Sequence, residues 1–403
     1  MAGADAVDSV DVLIVGGGVL GAATALSPRP PGCGCPGRRT RRAQSRSLRR
    51  QRGHTPHQIP AFHFRTHYLG NLAAERAADL QATNQFYIAA ARAWSGLEDE
   101  LQADLGVRQV GGLMVAETED EVRVLCDKSA YECSVGLRSE VLTGAQLRAR
   151  EPSLGPTILG ASYCADEGFA NPLVVAPAYM RRAQALGARL RLHTHVSEIE
   201  PARAGEFLVD TSSGPVQARR IVLAAGAQTR QMTALVGLDL PVLPHPLQVM
   251  VTSPRPPLLR HLIQHAGSRH LSLRQTQFGT FLIGGGWPAM EHIEPRSSSR
   301  IQVTYRSLVG NATVATDVVP ALRDVPLIRA WAGMTTATGR WNRVGFIGQD
   351  RRLGPGKFFV VVAGGWGFTL SPVLGRAMSE LVLDGDSQLD LRPFGLEHAV
   401  ARL

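Results

Sequence analysis

The 403-residue sequence predicts an α/β fold: a buried parallel sheet flanked by helices, with an α+β domain containing an antiparallel sheet interleaved along the chain. Two observations predict it. Each end of the chain carries an apolar run that meets a glycine-rich turn and then a helical stretch. Between the ends lie short apolar runs bounded by turn residues, the pattern of a second sheet.

The head comes first. Asp11–Val15 (DVLIV) is almost continuously apolar, as a strand buried on both faces must be. It runs into Gly16-Gly17-Gly18-Val19-Leu20-Gly21, whose glycines at 16, 18 and 21 match G-x-G-x-x-G, the fingerprint of a Rossmann-like dinucleotide domain. Gly16 permits the tight turn, Gly18 lets backbone approach a pyrophosphate, and Gly21 lets the helix pack closely on the strand. The Ala-rich helix over 19–26 then starts with unsatisfied N–H groups and a positive dipole end aimed at phosphates. A glycine turn with only a structural role would not require this order of strand, glycines and helix.

In the middle of the chain, 172–186 reads as a helix ending at Gly187, and Arg189–His195 as a strand on which His193 and His195 share one half-buried face. A hairpin is expected around Ser212-Ser213-Gly214, then a strand over 221–225 that meets Gly226. Residues 111–115 and 281–285 read as further strands.

The tail repeats the design of the head. Phe358–Ala363 (FFVVVA) reads as a buried strand, followed by Gly364-Gly365-Trp366-Gly367-Phe368-Thr369. Ser371 suits an N-cap and Pro372 the first position of a helix running to about Leu383. Bare donors at such a helix start can stabilise negative charge on a bound group.

Taken together, the head fingerprint, the tail Ala-Gly-Gly-Trp-Gly-Phe-Thr-Leu-Ser-Pro-x-x-Gly, and Trp331-Ala332-Gly333 followed by Phe346-Ile347-Gly348 resemble the D-amino-acid oxidase superfamily of FAD-dependent oxidoreductases. Glycine oxidases, sarcosine oxidases, and the opine-oxidase and hydrogen-cyanide-synthase subunits are the members most similar in pattern. The resemblance implies a discontinuous FAD-binding domain over 1–85, 150–235 and 325–403, with a substrate domain over 86–149 and 236–324, whose sheet covers the flavin. It implies FAD contacts at Gly16, Gly18, Val19, Leu20, Gly21, Val196 (through its backbone, to the adenine), Ala225, Gly226, Gly364, Gly365, Trp366, Gly367, Phe368 and Thr369.

The activity implied is oxidation of the C–N bond of an amino acid or secondary amine, by hydride transfer to flavin N5 and hydrolysis of the imine. The cofactor performs the hard chemistry, which explains why no nucleophile triad or carboxylate pair stands out. Oxygen or a quinone would take the electrons, and some relatives are subunits of hetero-oligomers. Relatives acting on amino acids often carry an Arg soon after Trp-Ala-Gly, suited to a bidentate grip on a carboxylate. Here Met334-Thr335-Thr336 stand there, and Thr338-Gly339-Arg340 replaces the family's Thr-Pro-Asp. Arg340, Arg343 and Arg329 are the candidate replacements. The cysteine that links flavin covalently in sarcosine-oxidase-like relatives is missing from this stretch, so FAD is expected to be noncovalent. Two other readings stay open: oxidation of a hydroxy acid on the same fold, and a cofactor-poor, inactive homologue.

The last reading arises from one stretch. A dinucleotide fold needs a second strand ending in Asp or Glu about 20 residues past the glycines, to hold the ribose. No acidic residue occurs between Asp11 and Glu75. Residues 27–56 instead hold five prolines, Cys33-Gly34-Cys35 and nine arginines, which equal the net charge of +9. Such composition speaks against a buried strand. The family's small-residue, Gly-rich loop after that strand is missing too. An abrupt switch on both sides of an obligatory element is what a shifted reading frame between two compensating indels would produce. Taken at face value, the stretch is a basic loop for a polyanion or partner, but it lacks the interleaved aromatics of a single-strand binder, and no nucleic acid is expected.

The rest of the composition is unremarkable for a folded domain pair, at 44% hydrophobic and 19% charged. No apolar stretch is long enough to span a membrane, and the acidic flank of the apolar head is wrong for a secretory signal. Five cysteines without a disulfide pattern suggest the cytoplasm, either free or at the inner face of a membrane. His54, His57, His63 and His67 are too irregularly spaced for a metal site, and the charges of Glu117–Glu121 read as solvated surface.

Overall fold

A computed structural model describes residues 7–26, 40–41, 53–69, 73–202, 205–292, 300–338 and 344–400, a few of them by backbone alone. The head strand runs Asp8–Val15, longer than its apolar stretch because Asp8 and Ser9 already pair with Val216 and Gln217. It lies parallel to Val216–Leu223, which in turn lies parallel to Phe358–Val362. Phe346–Gln349 closes that edge antiparallel, and Thr40–Arg41 pairs parallel on the far side of the head strand. A turn at Gly214 joins Phe207–Thr211 antiparallel to the first half of Val216–Leu223, and Val196–Pro201 pairs antiparallel with the outer side of Phe207–Thr211.

The apolar runs are continuous because both faces of this sheet are buried. Val12, Ile14, Val222, Phe359 and Val361 face one core, with the helices Val19–Thr24, Pro172–Ala185, Ser371–Asp384 and Ala73–Leu101. Leu13, Val15, Ile221, Leu223, Val360 and Val362 face another, shared with Val196 and Leu240.

The second sheet has eight strands in the order Leu327–Ala337, Leu243–Thr252, Phe281–Gly284, Ser272–Gln275, Leu262–His265, Gly112–Ala116, Gly160–Cys164 and Ser139–Thr143. All neighbours are antiparallel except Leu262–His265 beside Gly112–Ala116. Its faces differ. Leu113, Val115, Leu273 and Ile283 bury against the helix Tyr305–Val318, whereas Met114 and Ala116 join the core of the first sheet. The α/β architecture with an interleaved α+β unit is thus as expected, but its segments shift. Gly160–Cys164 and Leu327–Ala337 belong to the second sheet, so the boundaries expected near 150 and 325 move beyond Cys164 and Ala337.

Four local expectations also change. Thr40–Arg41 forms a short second strand where none was expected, because a parallel ladder requires only backbone groups. Part of the stretch expected to be aberrant over 27–56 is regular: His54–Thr55 pairs with Gly168–Phe169, and just beyond it the amides of His57 and Gln58 donate to Glu167 Oε1 at 2.7 and 2.8 Å. Residues 27–39 and 42–52 lie outside the described residues. Arg189–His195 is not a strand. Arg189 and Arg191 turn to Asp8 at 3.3 and 2.9 Å, Leu192 is exposed, and His193 takes φ +53°, leaving both His193 and His195 exposed. Glu117–Glu121 is ordered rather than merely solvated: Thr118 and Glu121 form a capping box, and Glu117 binds His265 and Arg269.

Candidate functional site

Three parallel strands end side by side at Val15, Leu223 and Val362, and each runs into a glycine turn. The C-terminal edge of a parallel sheet is where α/β folds bind ligands. Gly16 has φ +122°, and a Cβ there would collide with the carbonyl of Ala224. Gly21 lies against the carbonyl of Gly16, so the first helix can rest on the turn only without a side chain at that position. The helix Val19–Thr24 is entirely buried. Among the described residues no acceptor takes up the N–H groups of Gly17, Gly18, Val19 and Leu20, four consecutive donors at one edge. This is a cradle with the chemistry of a phosphate site.

The tail loop is built the same way and pinned harder. Gly365 has φ +98°. Trp366 stacks on Tyr87 and Phe368 on Trp94, with ring centroids 5.0 and 5.2 Å apart. Tyr87 and Trp94, seven residues apart, share one face of the long helix Ala73–Leu101. Trp94 Nε1 donates to the Thr369 carbonyl at 2.8 Å, and Thr369 Oγ1 donates to the His54 carbonyl at 3.3 Å. From the other side Thr336 Oγ1 donates to the carbonyl of Ala363. The N–H groups of Gly365 through Thr369 meet no acceptor among the described residues. The helix begins one residue earlier than Ser371 as N-cap would give. Leu370 is the N-cap, without a side-chain bond, because the Ser371 hydroxyl donates back to the Phe368 carbonyl at 2.8 Å.

Ala225 and Gly226 follow the middle strand, Gly226 with φ +57°, beside the paired ends of Leu243–Thr252 and Leu327–Ala337. Val196 opens its strand and is buried in the core that holds Leu13 and Val15. The structure therefore gathers the head, middle and tail glycines at one sheet edge. Of the three candidate arginines only Arg329 lies among the described residues, and it is not gathered there. Arg329 is exposed and seven residues from Thr336 on the same strand, about 24 Å at the usual rise per residue. Arg340 and Arg343 lie outside the described residues.

One cation escaped the sequence reading. Arg274 is 7% exposed, with its guanidinium carbon 4.2 Å from the centroid of the Phe169 ring, and burial pushes its pKa down to about 10. The only sequence signal was alternation: Leu271 and Leu273 face the core, so Ser272 and Arg274 face the other way.

His54 Nδ1 meets Ser272 Oγ at 2.5 Å and His57 is wholly buried, while the described residues contain no group of three or more ligands placed to hold a metal ion. Nor is any described helix long and apolar enough to cross a membrane.

A family profile described as FAD dependent oxidoreductase matches residues 11–381. The chain belongs to this family. It is 29% identical over 314 residues to a subunit of the opine oxidase of Rhizobium meliloti, covering 76% of this chain and 79% of the relative. Glycine oxidase of Geobacillus kaustophilus is 27% identical over 98% of each chain. Among solved structures, L-proline dehydrogenase from P. horikoshii superposes with a TM-score of 0.80 at 20% identity, covering 97% of both chains. Iminodiacetate oxidase from Chelativorans sp. BNC1 gives 0.74 at 19% identity, covering 95% and 98%. These structural likenesses establish the fold. Family membership makes the chain an FAD-dependent oxidoreductase acting on amino acids or amines, and the two cradles of bare amides fit that cofactor.

Proposed function

We propose that this protein oxidises the C–N bond of a carboxylate-bearing amine, an amino acid or N-substituted amino acid, with noncovalently held FAD. What carries the reading is the convergence of three parallel strand ends and their glycine turns at one edge, in a chain of this family. The amides of Gly17–Leu20 would hold the pyrophosphate, and those of Gly365–Thr369 would face the flavin ring and favour its reduced, more negative form. When bound, FAD supplies the acceptor for a hydride leaving the carbon next to the substrate nitrogen, after which water hydrolyses the imine. The relatives' names include glycine, sarcosine and iminodiacetate, all amines whose α-carbon bears a carboxylate. Relatives named for opine oxidase and sarcosine oxidase are subunits, and by analogy this chain works beside a second kind of chain and passes electrons to oxygen or a quinone.

A second reading, a cofactor-poor homologue, is favoured by one observation. Among the described residues the second strand comprises Thr40–Arg41, and no carboxylate for the ribose occurs between Asp11 and Glu75. Anaerobic mixing with glycine, sarcosine, iminodiacetate and the hydroxy acid lactate separates the possibilities. Bleaching of the flavin bands by the amines supports the proposal. Bleaching by lactate alone makes the protein a hydroxy-acid dehydrogenase, and a yellow protein that nothing bleaches refutes the amine reading.

A further inference from the structure

The glycine-rich tail loop is tied to the second sheet at both of its ends. At its start the Ala363 carbonyl accepts from Thr336 Oγ1, on the strand Leu327–Ala337. At its end Thr369 Oγ1 donates to the His54 carbonyl at 3.3 Å, and His54 Nδ1 meets Ser272 Oγ at 2.5 Å. Both strands that supply these hydroxyls are held by their neighbours. Thr336 pairs with Pro244 in the long ladder between Leu243–Thr252 and Leu327–Ala337, and Ser272 is flanked in register by Gln264 and Gly284. Three strand spacings separate the two strands, about 14 Å across the sheet, so the loop is gripped from two separate parts of it. The amides of Gly365–Thr369, which meet no acceptor among the described residues, lie between the two grips.

We propose that Thr336 and Ser272 are positioning residues through which the second sheet fixes the tail-loop amides, and with them the flavin's preference for its reduced form. This rests on the reading above that those amides face the flavin ring. Neither hydroxyl needs to touch the ring: Thr336 acts through the Ala363 carbonyl, and Ser272 through His54 and Thr369. Donors aimed at developing charge are effective because they are fixed beforehand, so a loop free to relax stabilises the reduced ring less. Trp94 already holds the Thr369 carbonyl from the long helix of the first domain. The two hydroxyls add the hold of the other domain, and they make the loop's geometry depend on where the second sheet sits.

The test measures the two-electron midpoint potential of the purified holoprotein against a reference dye, under chemical reduction that needs no substrate. Hydrogen exchange at the amides of Gly365–Thr369 and the melting temperature are read alongside. Thr336→Val and Ser272→Ala each remove one hydroxyl, whereas Thr336→Ser and Ser272→Thr keep it. Each removal should weaken the preference for reduced flavin about tenfold, a potential about 30 mV lower, and speed exchange in the loop. The variants that keep the hydroxyl should stay near the unaltered protein. The two grips are tested independently, so if one removal does not fold the other still decides. A lower melting temperature with potential and exchange both unchanged overturns the proposal, because the hydroxyls then only hold the fold. An equal fall in potential in the variants that keep the hydroxyl overturns it too, and both results leave the flavin reading intact. A colourless protein that added FAD does not colour, in which the removals still speed exchange in the loop, would instead sink the flavin reading and keep the clamp.

Discussion

Gly375 lies against Ala23 so closely that a Cβ on the glycine would collide with the alanine side chain. The contact joins the two ends of the chain: Ala23 is on the helix of the head fingerprint, and Gly375 is the final glycine of the tail Ser-Pro-x-x-Gly. One missing methyl lets the tail helix rest on the head helix, which brings both glycine cradles to the same edge. Gly375→Val should therefore overpack this crossing, cost about 1–3 kcal/mol of stability and lower FAD content together with it. Thermal melting and the flavin-to-protein ratio are the checks, and a variant unchanged in both would refute the role of the contact.

Trp94 fastens the tail loop to the long helix through its Nε1 bond to the Thr369 carbonyl. Trp94→Phe keeps a ring beside Phe368 but removes the donor. The expected loss is about 1 kcal/mol, seen as a several-fold weaker FAD affinity in a titration of apoprotein. Undiminished affinity would mean that the two ring stacks alone hold the loop.

Lys128 is fully buried between Glu132 Oε2 at 2.8 Å and Gln58 Oε1 at 3.1 Å. Glu132 and Glu167 in turn accept the amides of His57, Gln58 and Ile59, so this buried network fixes the chain as it returns from the arginine-rich stretch. Lys128→Met leaves buried carboxylates without their cation and should cost about 3–5 kcal/mol. Urea unfolding measures it, and a loss near zero would contradict the network's importance.

His57 is wholly buried, and neither ring nitrogen finds a hydrogen-bond partner among the described residues. Burial pushes its pKa down to about 3, against a weaker upward pull from Asp166. The unfolded chain takes up this proton near 6.5 and the native chain only near 3, so stability is lost as pH falls through that window. His57→Leu should be at least as stable at neutral pH, since it removes an unsatisfied imidazole and keeps the backbone bond to Glu167. Its urea midpoint should also vary less with pH across the window; an equally steep variation would assign the acid sensitivity elsewhere.

The sequence exposes what is local. Strand, glycine turn and helix at head and tail are neighbours along the chain, so periodicity and glycine spacing reveal both cradles. Arg274 was hidden because its burial depends on which face of an eight-stranded sheet meets the first domain, a pairing made across more than two hundred residues by Ser272 and His54. Arg189–His195 alternates like a strand, yet Asp8 draws both arginines. Thr40–Arg41 pairs through its backbone despite a composition unlike that of a buried strand, because ladder bonds are blind to side chains.

The central claim is that the two glycine cradles hold FAD even though no carboxylate stands between Asp11 and Glu75 to bind its ribose. The UV-visible spectrum of the purified protein tests this most directly, read together with its melting temperature with and without added FAD. The expected result is a yellow protein with the two-banded flavin spectrum, FAD released intact on denaturation, and a melting temperature that rises with FAD. A colourless protein that added FAD neither colours nor stabilises would contradict the account.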